Sequence, residues 1–324
     1  ILTQPSVTAW VLLGMTSTGL ILSRLFDNRI FCRYVCPVGG FVGLYSTLAP
    51  LALRAKDPDI CARHTTKDCV IGNANGYGCP WLTYPGKLSR NINCGMCTEC
   101  LKTCTQDNIG LYWRFGGDAL IAPKDSRLDE AYKAFIMLGA ALIYPIIFLG
   151  PWGWLKTWAS MRNITGWGLY AVGFLTVTLV ALPGLFWLLS ALSNLISRQT
   201  TSPTRLFVQY AYALIPLGLA AWIAFSTGLV LVNGSYAFSS LSDPFGWGWN
   251  LFRTADFPWS PLDPTLITVL QSTALLGGLA SSLDTLYRIV RTNTVSAGRA
   301  VLAVLPPAAF VLAFVLSSLW LYLG

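Results

Sequence analysis

Long apolar runs constrain this chain more than any other feature. Val7–Phe26, Ala131–Gly150, Gly166–Ser193, Leu206–Val232, Pro264–Val290 and Val301–Leu323 are nearly uncharged and close to, or above, membrane-crossing length. At about 1.5 Å per residue, roughly 20 residues cross about 30 Å of hydrocarbon. Lipid offers the backbone no hydrogen-bond partners, so such runs must be helices. The expected fold is therefore an all-α polytopic membrane protein with about six transmembrane helices, and lipid is its first partner. Composition agrees: 54% of the 324 residues are hydrophobic and 11% are charged, too apolar for an ordinary soluble protein. Pro145, Pro183 and Pro216 fall inside these runs. They imply kinks whose freed backbone groups are satisfied by neighbouring helices.

Polar residues are unevenly placed. Residues 1–130 hold 13 of the 22 Lys and Arg, 10 of the 14 Asp and Glu, all nine Cys and the single His. Residues 1–26 are thus expected to form a first span, 27–130 a polar cysteine-bearing module and 131–324 a bundle of about five helices. The opening run has no basic segment before it and no small-residue cleavage site, so it reads as a span and not a signal peptide. Pro37–Leu53 is apolar but short, with Gly39, Gly40, Gly43 and Pro50. Crossing there would separate Cys32 and Cys36 from the other cysteines, so an interfacial helix over 37–53 is expected. The net charge of +8 fits Lys and Arg retained on the cytoplasmic side. No basic run or nucleic-acid module is legible, and no nucleic-acid partner is expected.

The run Cys94-x2-Cys97-x2-Cys100-x3-Cys104 has the spacing that bacterial ferredoxins use around [4Fe–4S] clusters. Three close thiolates wrap one cubane, and the fourth usually turns to a second cluster. Zinc sites use separated cysteine pairs and leave no role for three thiols in seven residues. Disulfide frameworks belong to small secreted domains. Two [4Fe–4S] clusters are therefore expected, held among Cys32, Cys36, Cys61, Cys69, Cys79, Cys94, Cys97, Cys100 and Cys104. The fourth ligand of the first cluster is a cysteine followed by proline, Cys36 or Cys79, with Cys36 preferred. Cys104 and three of Cys32, Cys61, Cys69 and Cys79 are left for the second. Two cubanes need about eight thiolates and nine are present, so one is spare.

His64 is not expected to be a ligand, because cysteine is the usual choice. With one histidine in the chain, a bis-histidine haem within it is excluded. Arg33, Lys67, Arg90 and Lys102 lie near cysteines in sequence; they read as surface charge or as cations that favour a reduced cluster. Asp284 lies within an apolar run, one turn from Arg288. An intramembrane carboxylate points to a functional site, here a bound quinone with Asp284, Arg288 and Arg24, or to a local ion pair. Arg198, Arg205, Arg288, Arg291 and Arg299 fall on the cysteine side of the expected topology, against Lys156, Arg162 and Arg253 opposite. The cysteine module is thus expected on the cytoplasmic face of the inner membrane. The aromatic loop 233–263 then lies outside, as an interfacial belt.

Phe31-Cys32-Arg33-Tyr34-Val35-Cys36-Pro37-Val38-Gly39 resembles the C-x3-C-P element of membrane-bound polyferredoxins of the NapH/NosR type, and the Cys94–Cys104 run completes the resemblance, over about residues 5–110. Thr105 stands where the usual run has proline, and Cys61-x7-Cys69-x9-Cys79-Pro80 replaces a second compact run. The resemblance is to a divergent branch. It implies two [4Fe–4S] clusters in a ferredoxin-like module on a helical membrane anchor, and electron transfer between quinol and a redox partner. The expected role is an electron-transfer subunit of a quinone-linked oxidoreductase complex, with quinone and the other subunits as partners. An accessory reductase for maturation of another metalloenzyme, and an electron wire without a quinone site, fit the same residues.

Overall fold

The computed structural model describes residues 5–26, 30–114, 120–121, 126–160, 163–197, 201–294 and 296–323. Asp27, Arg29, Arg162, Arg198 and the side chain of Arg33 lie outside the described residues. The chain is mostly helical and divides into two compact units: Ile1–Ala134 with Trp158–Leu169, and Phe135–Thr157 with Tyr170–Gly324. Six helices are long and apolar enough to cross a membrane: Ser6–Leu25, Leu128–Leu149, Ile164–Ser197, Pro203–Asn233, Pro264–Asn293 and Ala297–Leu323. The chain is an integral membrane protein by these six, and lipid is the surface their exposed apolar faces meet.

In the first unit, helix α1 (Pro5–Leu25) exposes Trp10, Leu12 and Leu20, apolar surface of the kind that lipid covers. A π-turn over Phe31–Val35 follows, closed by the Cys36 N–H donating to Phe31 O at 2.8 Å. Helix α2 (Pro37–Tyr45) starts on Pro37, whose missing N–H costs nothing at a first turn. A Cβ at Gly39 would collide with the Cys32 carbonyl, which explains the glycine there. The expected helix over 37–53 ends at Tyr45. Pro50 cannot continue it, and Ser46 and Thr47 turn their hydroxyls onto Gly43 O and Leu44 O, both at 2.7 Å.

Residues 51–53, read as helix in the sequence, are instead strand. Strand β1 (Leu51–Ala55) pairs antiparallel with β2 (Ile109–Trp113), Leu51 opposite Trp113 and Ala55 opposite Ile109. Lys56 N to Asn108 O (2.8 Å) and Arg114 N to Pro50 O (2.7 Å) extend the ladder at both ends. The ribbon brings the residues on either side of the cysteine segment together. Buried Asn91 pins it from inside: its Nδ2 donates to Leu51 O at 2.8 Å and its Oδ1 accepts from Arg54 at 3.0 Å. Between the strands lie α3 (Pro58–Arg63), α4 (Asp68–Ile71) and α5 (Glu99–Thr103). Such short helices cannot stand alone; what they share is the cysteines.

Helix α6 (Leu128–Leu149) and α8 (Ile164–Thr176) run from the first unit into the second, with the short α7 (Gly153–Ala159) between them. The second unit adds α9 (Leu182–Ser197), α10 (Pro203–Ala211), α11 (Leu214–Asn233), α12 (Tyr236–Ser242), α13 (Pro264–Asn293) and α14 (Ala297–Leu323). Helix α11 packs on α13, α13 on α14, α14 on α9 and α9 on α10. Phe135, Phe186, Phe207 and Phe310 fill the core with ring centroids 5.1–5.5 Å apart along the chain of neighbours.

Of the internal prolines singled out in the sequence, Pro183 and Pro216 sit at irregularities, whereas α6 runs on as one helix past Pro145. A π-turn over Val177–Ala181 precedes Pro183. The helix breaks between α10 and α11, and Tyr212 O, which Pro216 cannot serve, accepts from Ile215 N at 3.2 Å. Pro307 likewise deprives Ala303 O of its i+4 donor. Ser193 of the neighbouring helix supplies a hydroxyl to that carbonyl at 2.6 Å. Serines at span interfaces commonly serve this purpose.

Candidate metal centre

Cys94, Cys97 and Cys100 face one hollow, and the local backbone explains why. Met96 and Thr98 take φ of +51° and +64°, a left-handed conformation that costs non-glycine residues energy and concentrates at functional sites. The double reversal wraps the chain around the hollow. Gly95 lies flat against the Trp81 indole, where a Cβ would collide with Nε1. The fourth thiol in the wall is Cys79, delivered by the turn through Gly78 at φ +74°. Leu53, Trp81, Pro85 and Leu88 close the rest with apolar surface.

Cys104 points elsewhere. It caps α5, four residues after Cys100, so one helical turn carries a thiol at each end, about 6 Å apart along the axis. Cys61, Cys69 and Cys104 line a second hollow with His64 and Asp68. Cys69 and Cys100 share a buried cluster with Leu53 and Ile109, so the two hollows share a wall. Cys32 and Cys36 line neither. The structure thus sets Cys79, not Cys36, beside Cys94, Cys97 and Cys100. It sets three cysteines, Cys61, Cys69 and Cys104, at the second hollow.

Both thiol sets sit in surroundings that suit cluster ligands. Asn108, buried in the wall of the second hollow, donates from its backbone N–H to Cys104 Sγ at 3.3 Å and from Nδ2 to Cys61 Sγ at 3.2 Å. N–H donors to ligand sulfur are a main way a protein tunes an iron–sulfur centre. Nothing in the sequence around Asn108 signals this role. Arg54 is the second residue sequence reasoning missed. It donates to Asn91, Leu53 O and Ser89 O and lies near enough to Cys94 to favour its thiolate. The basic residues singled out from sequence are engaged otherwise. Lys67 sits 3.9 Å over the Tyr84 ring, Lys102 pairs with Glu99 at 2.7 Å, and Arg90 forms a buried ion pair with Glu130. Tyr84 in turn donates to Cys61 O at 2.5 Å.

Burial, then the neighbouring Cys104 and Cys61, push the Cys69 thiol up to about 11. Burial, then Cys94, Cys79, Cys97 and Cys69, push Cys100 up to about 12, and burial raises Cys94. Packed thiols of this kind become thiolates only against compensating positive charge, with release of protons. An iron–sulfur core supplies that charge; the four thiols of the first hollow fit a cubane, and the second hollow offers three thiols with His64 and Asp68 beside them. Among the described residues no three Cys, His, Asp or Glu side chains converge where a single metal ion would sit. A cubane spreads its ligands over four irons, so convergence on one point is not what it requires.

The residues set aside for a quinone are not brought into either hollow. Arg288 lies 3.7 Å from Asp284 on the exposed face of α13, the geometry of a local i, i+4 pair. Arg24 ends α1 in the other unit.

No family model and no solved structure matches the chain. Over 89 residues it is 28% identical to the "Putative electron transport protein YccM" of Escherichia coli (strain K12). The chain is distantly similar to an electron-transport protein. The match covers 27% of this chain and 22% of the relative, so the chain spans about a fifth of that protein's length.

Proposed function

We propose that the cysteine module holds two [4Fe–4S] clusters and that the protein passes single electrons between the quinone pool and a redox partner within a larger membrane complex. The observation that carries this reading is the pair of thiol-lined hollows sharing the Cys69–Cys100 wall. A single cluster would need one such hollow; a wire needs two in series. When bound, the clusters would supply one-electron redox chemistry. The chain's residues do the rest. Cys79, Cys94, Cys97 and Cys100 would hold one cluster, and Cys61, Cys69 and Cys104 the other. Asn108 and Arg54 would stabilise negative charge at the sulfurs and so favour reduction. Leu53, Ile109, Trp81 and Leu88 lay apolar surface against the thiols, of which Cys61, Cys69 and Cys100 are buried and Cys97 stays exposed.

The distant similarity to an electron-transport protein supports the same reading. The module would face the cytoplasm, on the balance of Lys and Arg in the loops. The test is redox titration of anaerobically purified protein. Reduction of both clusters by quinol supports quinone-linked transfer. Reduction by dithionite and not by quinol refutes transfer from quinol to the clusters, and leaves transfer from a low-potential cytoplasmic donor or a wire between soluble partners.

A further inference from the structure

The second hollow has one thiol too few for a cubane. Four of the nine cysteines line the first hollow, and Cys32 and Cys36 line neither, which leaves Cys61, Cys69 and Cys104. A [4Fe–4S] cluster takes four protein ligands. We propose that His64 is the fourth, binding iron through Nδ1 to give a Cys3His-ligated cluster; this rests on the two-cluster reading above.

Spacing and geometry agree on His64. Cys61-x2-His64 repeats the spacing of Cys94-x2-Cys97 in the other hollow, with the imidazole where a second thiol would stand. Cys61 lies in the last turn of α3 and His64 caps that helix in an extended conformation, its N–H donating to Ile60 O at 3.0 Å. The ring lines the hollow beside the three thiols.

The hydrogen bonds around the ring favour one tautomer. Nε2 lies 3.1 Å from Thr66 Oγ1 and 3.3 Å from Thr105 Oγ1. Both hydroxyls donate to Asp68 Oδ2, at 3.2 and 3.4 Å. Each hydroxyl has a single proton, and that proton is given to the carboxylate. Each therefore accepts from Nε2–H, which puts the ring's lone pair on Nδ1. A metal-bound histidine typically gives its other N–H to such a hydrogen-bonded chain. The same chain occupies Asp68, the other possible iron donor in the hollow, as the orienting group. It also accounts for Thr105, which stands where a ferredoxin run would have proline. Exchanging thiolate for imidazole removes a negative charge and raises the potential of that cluster.

The chain has one histidine, so ¹⁵N-histidine labels this ring alone. The protein is expressed with that label and a histidine-free tag, purified anaerobically, reduced with dithionite and studied by pulsed EPR. The proposal expects a strongly coupled nitrogen on one of two clusters, changing from ¹⁴N to ¹⁵N with the label and retained in Asp68→Asn. His64→Cys keeps the full iron content and loses that coupling. It also shifts the reduction equilibrium of one cluster at least tenfold towards the oxidised form, about 59 mV for one electron. Two intact clusters with no histidine nitrogen coupling would overturn the proposal and leave the two-cluster reading standing. A wild-type protein without iron would overturn both.

Discussion

Replacing Asn108 by alanine should alter one cluster and not the other. The residue is 3% exposed and its side chain makes three hydrogen bonds. Its Nδ2 donates to Asp57 O at 2.6 Å and to Cys61 Sγ at 3.2 Å, and its Oδ1 accepts from Asp57 N at 2.9 Å. Loss of the two bonds to Asp57 should cost about 2–3 kcal/mol of module stability, at roughly 1 kcal/mol each plus a share for the orphaned backbone groups. The bond to sulfur strengthens as a cluster gains an electron. A differential of about 0.5–1.5 kcal/mol corresponds to a fall of roughly 20–65 mV in the one-electron potential. The change belongs to the Cys61–Cys69–Cys104 cluster. Arg54, near Cys94, is untouched, so the other potential should hold within experimental error. Anaerobic potentiometric titration followed by EPR reads both. If the two potentials move together, or neither moves while the protein stays loaded, Asn108 does not serve as a sulfur donor and the assignment of the second hollow fails.

Cys79→Ser should remove or strongly destabilise one cluster, seen as a loss of about half the iron, whereas Cys36→Ser should retain both; the opposite pattern would restore Cys36 as the remote ligand. Ser193→Ala should destabilise the bundle by about 0.6–1.7 kcal/mol, and Pro307→Ala in the same protein should erase most of that cost by restoring an N–H for Ala303 O; a double-mutant cycle in detergent unfolding measures the coupling. Glu130→Gln should cost roughly 3–5 kcal/mol by leaving buried Arg90 facing a neutral amide, with Arg90→Met/Glu130→Leu far milder, as proteolysis of the module would report. Chelation of iron under anaerobic conditions should make residues 54–114 protease-sensitive while the helical signal of the membrane spans persists.

The spans were legible because lipid imposes a long, simple signal. The observed Leu128–Leu149 and Ala297–Leu323 differ from the expected bounds by a few residues, where caps and fraying decide. Pro183 and Pro216 were legible as kinks, but Ser193 as the partner of Ala303 O was not, since that contact joins residues 110 positions apart. In the module, the compact spacing of Cys94, Cys97 and Cys100 placed them together from sequence alone. The remote partner was not readable, because Cys36-Pro37 and Cys79-Pro80 present the same local pattern. What separates them is tertiary: the π-turn that holds Cys36 against α2, and the turn at Gly78 that delivers Cys79. The apolar run Leu51–Leu53 reads equally as helix or strand, and only its pairing with Ile109–Trp113 decides. His64 lacked any motif of its own; its meaning appears once Thr66, Thr105 and Asp68 are seen around its ring.

The most direct test of the account is iron and acid-labile sulfide analysis of the anaerobically purified full chain, paired with EPR after dithionite reduction. The account predicts about eight irons and eight sulfides per chain and two magnetically interacting [4Fe–4S]⁺ centres. Iron absent from undamaged protein, or a content matching a single cluster in wild type, would contradict it.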